Sequence, residues 1–184
     1  IYLKAFENYQ VQQKWQESYE VITKIATAEN NLGEFLSAKS DAEKIIRAPE
    51  SQLDSLSGLR AKAYSLIGIS LVRMGQIENA LVSLKKSMRI LNANGNDELI
   101  EEKVYNYNIL GGVYNVSFRL DSALYFYNKA LEISKKGKTA NLRMLGNIYN
   151  NMGIISPPKR FPSPPLASPP RSPEIKKQVF GDLH

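Results

Sequence analysis

The chain has 184 residues, 43% of them apolar, enough for one domain with a real core and a tail. It has no cysteine, and its only histidine is the last residue, His184. Disulfides, thiolate metal sites and a cysteine nucleophile are therefore excluded, and Ser-His-Asp chemistry and His-based metal sites have almost nothing to build on. The net charge of +6 is uneven: residues 156–184 carry five basic and two acidic side chains, which leaves residues 1–155 nearly balanced, so bulk charge argues only weakly for nucleic acid.

No run of 18 apolar residues is present, so no membrane span is expected. No signal-peptide pattern is visible, and the expected compartment is the cytoplasm, with an exported protein as the alternative. The chain opens on Ile1 rather than Met, which reads as a processed product or a fragment.

Residues 1–14 space Leu3, Phe6, Tyr9 and Val11 as a helix does. This segment is either the closing helix of an earlier unit or a leading cap. Trp15, Tyr19, Ile22, Ile25 and Ala26 mark a second helix, broken at Gly33. Phe35, Ala38, Ala42, Ile45 and Ile46 mark a third, ended by Ala48-Pro49. A polar connector follows, with possible N-caps at Ser51, Asp54 and Ser55.

Residues 61–91 read as two helices around the turn Met74-Gly75-Gln76. Residues 104–133 repeat that stretch without a gap at an offset of 43: Tyr64 falls on Tyr107, Gly68 on Gly111, Leu71 on Tyr114 and Ala80 on Ala123. Between them Asn94-Gly95-Asn96-Asp97 signals a turn, and Asp97 can cap a helix that opens with the acidic residues Glu98, Glu101 and Glu102. The earlier pair is a more divergent copy, since Gly33 and Ala38 lie 42 residues before Gly75 and Ala80. In the third copy Phe118 stands where the others have the turn glycine, so that turn must be made without one.

Lys135 to Lys138, with Gly137, suits a helix C-terminus. LRMLGNIYNNMG, residues 142–153, then opens a fourth copy whose second helix does not follow. Residues 156–173 hold eight of the chain's nine prolines, which favours a polyproline-like or disordered segment over any helix.

Each unit is thus a hairpin of helices that buries its apolar faces only by stacking on the next. Small residues at Ala26, Gly68, Gly111 and Gly146 allow the two helices of a hairpin to approach closely, as do Ala38, Ala80 and Ala123 on the second helix. A glycine inside a helix costs about 0.5–1 kcal/mol relative to alanine, so its recurrence at one position argues for packing. The expected fold is all-α: residues 1–155 form one helical-repeat domain, with copies near 15–47, 55–93 and 98–136, a partial copy at 138–155, and a basic Pro/Ser-rich tail at 156–184.

These residues carry a resemblance to the tetratricopeptide repeat family: Tyr64, Ile67-Gly68, Leu71, Gly75 and Ala80, then Tyr107, Leu110-Gly111, Tyr114 and Ala123. The spacing is similar to the family's long-period variety, of about 42 residues, as in kinesin light chains and bacterial signalling proteins. Glu29, where an aromatic is usual, Phe118 at a glycine turn and the missing last helix depart from the pattern. The resemblance implies a right-handed superhelical solenoid with first helices lining a concave groove that binds a partner's peptide or helix. Carried onto this chain, the groove residues are Lys62, Ser65, Ile69, Val72 and Arg73, then Tyr105, Asn108, Gly112, Asn115 and Val116, then Arg143, Asn147, Asn150 and Asn151.

Asparagine can bond both the N–H and the C=O of an extended backbone, and arginine can hold a carboxylate by two bonds. The expected partner is therefore a protein or peptide bearing an acidic side chain or a free C-terminus. No cofactor, metal or catalytic residue is expected, and the chain reads as a non-catalytic interaction module or scaffold. One alternative is the sensory arm of a longer signalling protein, such as a kinase, a transcription regulator or a CHAT-type peptidase. The other is a helical-repeat RNA binder, which steep salt dependence would support. The tyrosines at 105, 107, 114, 125, 127 and 149 are expected in core or groove packing. Leu110-Gly111-Gly112 lacks the spacing of a phosphate loop, and Asn115-Val116-Ser117 matches a glycosylation pattern by accident. The proline tail could suit an SH3-like partner, although a truncation, fusion or altered reading frame explains it at least as well.

Overall fold

The computed structural model describes residues 2–49, 57–93, 99–135 and 142–155. Among them the fold is all-α, with eight helices and no strand: α1 Tyr2–Val11, α2 Trp15–Leu32, α3 Phe35–Ile46, α4 Ser57–Arg73, α5 Ile77–Ala93, α6 Ile100–Val116, α7 Leu120–Ser134 and α8 Leu142–Ile155. None is long and apolar enough to cross a membrane. The capping residues expected at 51, 54, 55 and 97, Gly137 and the proline tail lie outside the described residues.

Four tight turns share one hydrogen-bond pattern. In the α4–α5 turn Gly75 N–H bonds the Val72 carbonyl at 3.0 Å and Gln76 N–H bonds the Leu71 carbonyl at 2.8 Å. This is a Schellman closure around one left-handed residue. Gly33 (φ +86°) and Gly75 (φ +76°) supply that residue without strain, but Gln13 (φ +56°) and Phe118 (φ +57°) take the same conformation with a side chain. Phe118 N–H reaches the Asn115 carbonyl at 2.9 Å and Arg119 N–H the Tyr114 carbonyl at 2.9 Å, so the glycine-free turn keeps the geometry of the others. Each turn passes directly into the next helix: the carbonyls of Lys14, Glu34, Gln76 and Arg119 accept the first helical bonds, from Ser18, Ala38, Ala80 and Ala123. A turn of two to three residues leaves the chain no course but back along the helix it has just left.

Packing follows from which faces are apolar. α4 has buried residues around most of its circumference, Ala61, Ala63, Leu66, Ile67, Gly68 and Leu71 among them, and it touches α2, α3, α5 and α6. α3 and α5 bury one side only, through Ala38, Ala42 and Ile45 in one and Ala80, Leu84, Met88 and Leu91 in the other. The core is continuous in two parts. Tyr19, Ile22, Ile45, Leu66 and Leu71 anchor the first. Leu84, Leu91, Val113, Phe126, Tyr127 and Ile148 anchor the second. The small residues of the repeat sit at the closest approaches. A Cβ on Gly68 would lie 2.8 Å from Leu84 Cδ2, and one on Gly111 would lie 2.4 Å from Tyr127 Cε1. At Gly146 nothing stands within 4 Å.

Polar side chains tie consecutive first helices together. Asn30 of α2 donates to the Leu66 carbonyl of α4 at 3.4 Å, and Ser70 Oγ lies 3.0 Å from Asn30 Oδ1. Asn151 of α8 donates to Asn108 Oδ1 of α6 at 3.1 Å. Asn106 is fully buried and donates to the Leu84 carbonyl at 3.4 Å, leaving its own Oδ1 without a partner.

Candidate functional site: the shared face of the first helices

α2 packs on α4, α4 on α6 and α6 on α8, so the first helices form one row. A pocket of about 220 Å³ opens on that row, and the described residues around it come from these four helices: Thr27 of α2, Lys62 and Ser65 of α4, Glu101, Glu102 and Tyr105 of α6, and Met144 of α8. Packed helices stand about 8–10 Å apart, so four in a flat row would spread over roughly 24–30 Å. One small pocket is nevertheless lined from both α2 and α8.

Lys62, Ser65 and Tyr105 were expected on this face, and all three line the pocket. Ser65 forms part of its floor. It is only 2% exposed, and its hydroxyl is engaged with the Ala61 carbonyl at 3.2 Å and Ser87 Oγ at 3.1 Å. It therefore shapes the pocket more than it can bond a guest. Burial pushes the Tyr105 phenol up from its usual range, so it stays a neutral hydrogen-bonding group at physiological pH. Among the described residues no ion pair involves Lys62, Glu101 or Glu102, which leaves one ammonium and two carboxylates at the pocket.

Other expected residues extend the same face. Arg73 is exposed at the end of α4, while Ile69 and Val72 are half-buried and pack against the first core. Asn108 is half-buried and holds Asn151. Asn115 is half-buried one turn before the Phe118 turn, and Val116 beside it is exposed. Arg143, Asn147 and Asn150 are exposed and lie on one side of α8, at the spacing of successive helical turns. They do not line the pocket, and the structure gives them no shared contact with it.

Thr27, Glu101, Glu102 and Met144 complete the pocket and were not singled out from the sequence. Glu101 and Glu102 read there only as helix-start residues. Nothing in a 43-residue offset indicates that α2 and α8 approach one another. The tyrosines divide. Tyr107 and Tyr114 stack on Phe126 with ring centres 6.1 and 5.1 Å apart, Tyr125 meets it edge-on at 5.3 Å, and Tyr127 is buried. Tyr149, expected in packing, is instead 60% exposed.

No cluster of three or more His, Cys, Asp or Glu side chains able to hold a metal occurs among the described residues. No family model, curated protein or solved structure matches the chain.

Proposed function

We propose that the chain is a non-catalytic interaction module of tetratricopeptide type, a right-handed solenoid whose inward-curving face of first helices binds a segment of another protein. The single observation that carries this reading is the pocket: four consecutive first helices contribute to it, and its charged groups have no ion-pair partners among the described residues. Such a site is small and concave with a few convergent polar groups, which suits one anchoring side chain rather than a whole small molecule.

The pocket refines the expected partner. Glu101 and Glu102 favour a basic anchor residue, and Tyr105 and Met144 flank it with apolar surface. Arg143, Asn147 and Asn150, further along α8, suit the backbone and a carboxylate of the same segment. The reading is therefore a peptide with a lysine or arginine seated in the pocket and an acidic group or C-terminus toward α8. Service as the arm of a larger signalling protein is compatible with it.

The test is selection of peptides from a displayed library on the immobilised chain, followed by calorimetry. Glu101→Gln with Glu102→Gln should weaken a selected basic peptide about tenfold, since a hydrogen-bonded charge is worth about 1.5–3 kcal/mol. Unchanged affinity in that variant removes the pocket from the site. Affinity for RNA that falls steeply with salt would favour the nucleic-acid reading instead.

A further inference from the structure

α8 has two apolar faces, and among the described residues only one is covered. Ile148 is fully buried, and Met144, Met152 and Ile155 pack with it on the second core. A second row, Leu142, Gly146, Tyr149 and Gly153, runs along the helix at intervals of four, three and four residues. Leu142 is 79% exposed, both glycines are exposed, and nothing lies within 4 Å of a Cβ built on either glycine.

The first three positions of this row have counterparts on α6, Tyr107, Gly111 and Tyr114, which show what such a face is built to meet. Tyr107 and Tyr114 there stack on Phe126 of α7, and the Tyr127 ring occupies the space above Gly111. Tyr114 is 5% exposed, whereas its counterpart Tyr149 is among the exposed large side chains. α8 thus presents one half of a hairpin interface. The eighteen residues that follow carry eight prolines, a content that an α-helix does not tolerate. In composition that stretch is unlike α5 and α7, which close the earlier hairpins.

We propose that the row is closed by α8 of a second copy of this chain, running antiparallel about a two-fold axis between Asn147 and Ile148. In that register Leu142 faces Gly153 of the partner subunit, and Gly146 faces Tyr149 of the partner subunit. Every bulky side chain meets a glycine, as Tyr127 meets Gly111 within the chain. A parallel pairing would set Leu142 and Tyr149 against themselves and leave gaps at the glycines. A two-fold axis repeats each contact, so self-complementarity is what an isologous interface demands.

Charge agrees with this occupant. Arg143 is the only charged side chain on α8, and it lies about 100° around the helix from Leu142, so no like charges meet across the axis. The row is also separate from the side of α8 that holds Arg143, Asn147 and Asn150. Self-association and the proposed groove can therefore be tested independently. A 14-residue helix is about 21 Å long. An interface of that length is at the small end of specific interfaces, so the dimer should dissociate at micromolar concentration.

Sedimentation velocity of the full chain from about 1 to 100 μM should show a reversible monomer–dimer equilibrium. Tyr149→Gly removes the knob, and Gly146→Tyr sets tyrosine against tyrosine; each alone should weaken dimerisation at least about tenfold. Open space at Gly146 lets the second variant fold, and circular dichroism checks both. The double variant again places tyrosine opposite glycine and should recover the dimer. Gly153→Leu, which sets leucine against Leu142 of the partner subunit, gives a second independent loss. The proposal is overturned by a monomer at every concentration, by a dimer that the single variants leave intact, or by a double variant no better than either single one.

Discussion

Alanine at Gly111 would place a methyl carbon 2.4 Å from Tyr127 Cε1 and 2.5 Å from Cδ1. Real side chains do not approach so closely, so the ring or the helix must move by about 1 Å. The ring has little freedom, being fully buried beside Phe126. Overpacking of this kind costs about 1–3 kcal/mol, while exchanging a mid-helix glycine for alanine returns about 0.8–1.0 kcal/mol. The net expectation for Gly111→Ala is a loss of up to about 2 kcal/mol, toward the upper end because the buried ring cannot re-seat. At Gly68 the contacts are with Leu84 Cδ2 and Cγ, both at 2.8 Å, and a leucine re-seats more readily than a ring, so the net loss should be smaller. At Gly146 the methyl group meets nothing within 4 Å among the described residues, and at concentrations where the chain is monomeric the same substitution should stabilise α8 by about 0.8–1.0 kcal/mol. One substitution at three equivalent positions thus changes sign along the chain. Urea denaturation followed by circular dichroism reads the first two, and amide exchange within α8 reads the third, because a terminal helix of an array can open separately. The reasoning is refuted if Gly111→Ala is as stable as the parent, or if all three variants move in the same direction.

Phe118 occupies a left-handed turn that costs a side-chain-bearing residue about 1–2 kcal/mol, and at 90% exposure it has little packing to lose. Phe118→Gly should therefore raise the urea midpoint modestly, whereas Gly75→Phe should lower it; a lower midpoint for Phe118→Gly would show that the aromatic ring contributes something the structure does not. Glu29 has its pKa raised by burial first, then by Asp41 and Glu34, with Lys44 opposing, and its Oε2 is buried without a partner. The folded state then holds this proton to a higher pH than the unfolded state, so the parent should lose stability as pH rises from the ordinary glutamate range through the raised value. Glu29→Gln should remove that slope and equal or exceed the parent at pH 7; an unchanged pH profile would contradict it.

The all-α class was legible because apolar spacing and recurring Gly and Ala positions point to helices without help from long-range contacts. Gly33 and Gly75 also read directly as turns, since a left-handed residue is what glycine supplies cheaply. Phe118 was harder: the sequence shows that no glycine is available, but not that phenylalanine will accept the same φ. Whether a polar residue faces outward could not be read at Ser65, whose hydroxyl turns to Ser87 across the hairpin. The same holds for Asn106, buried where its counterpart in the preceding copy is Ala63. The pocket was least legible of all. Thr27 and Met144 are 117 positions apart, and only the packing of the helices brings them to one pocket.

The central claim is that the face of first helices, and not the face of second helices, receives a partner segment. Its most direct test is the affinity of one display-selected peptide for three forms of the chain, measured by titration calorimetry. Asn108→Ala with Arg143→Ala should weaken binding about tenfold or more through lost hydrogen bonds. Lys86→Ala, an exposed α5 residue whose ammonium lies over the Tyr64 ring and which does not line the pocket, should leave binding unchanged. Equal affinity for the parent and the double variant, or a loss confined to Lys86→Ala, would contradict the account.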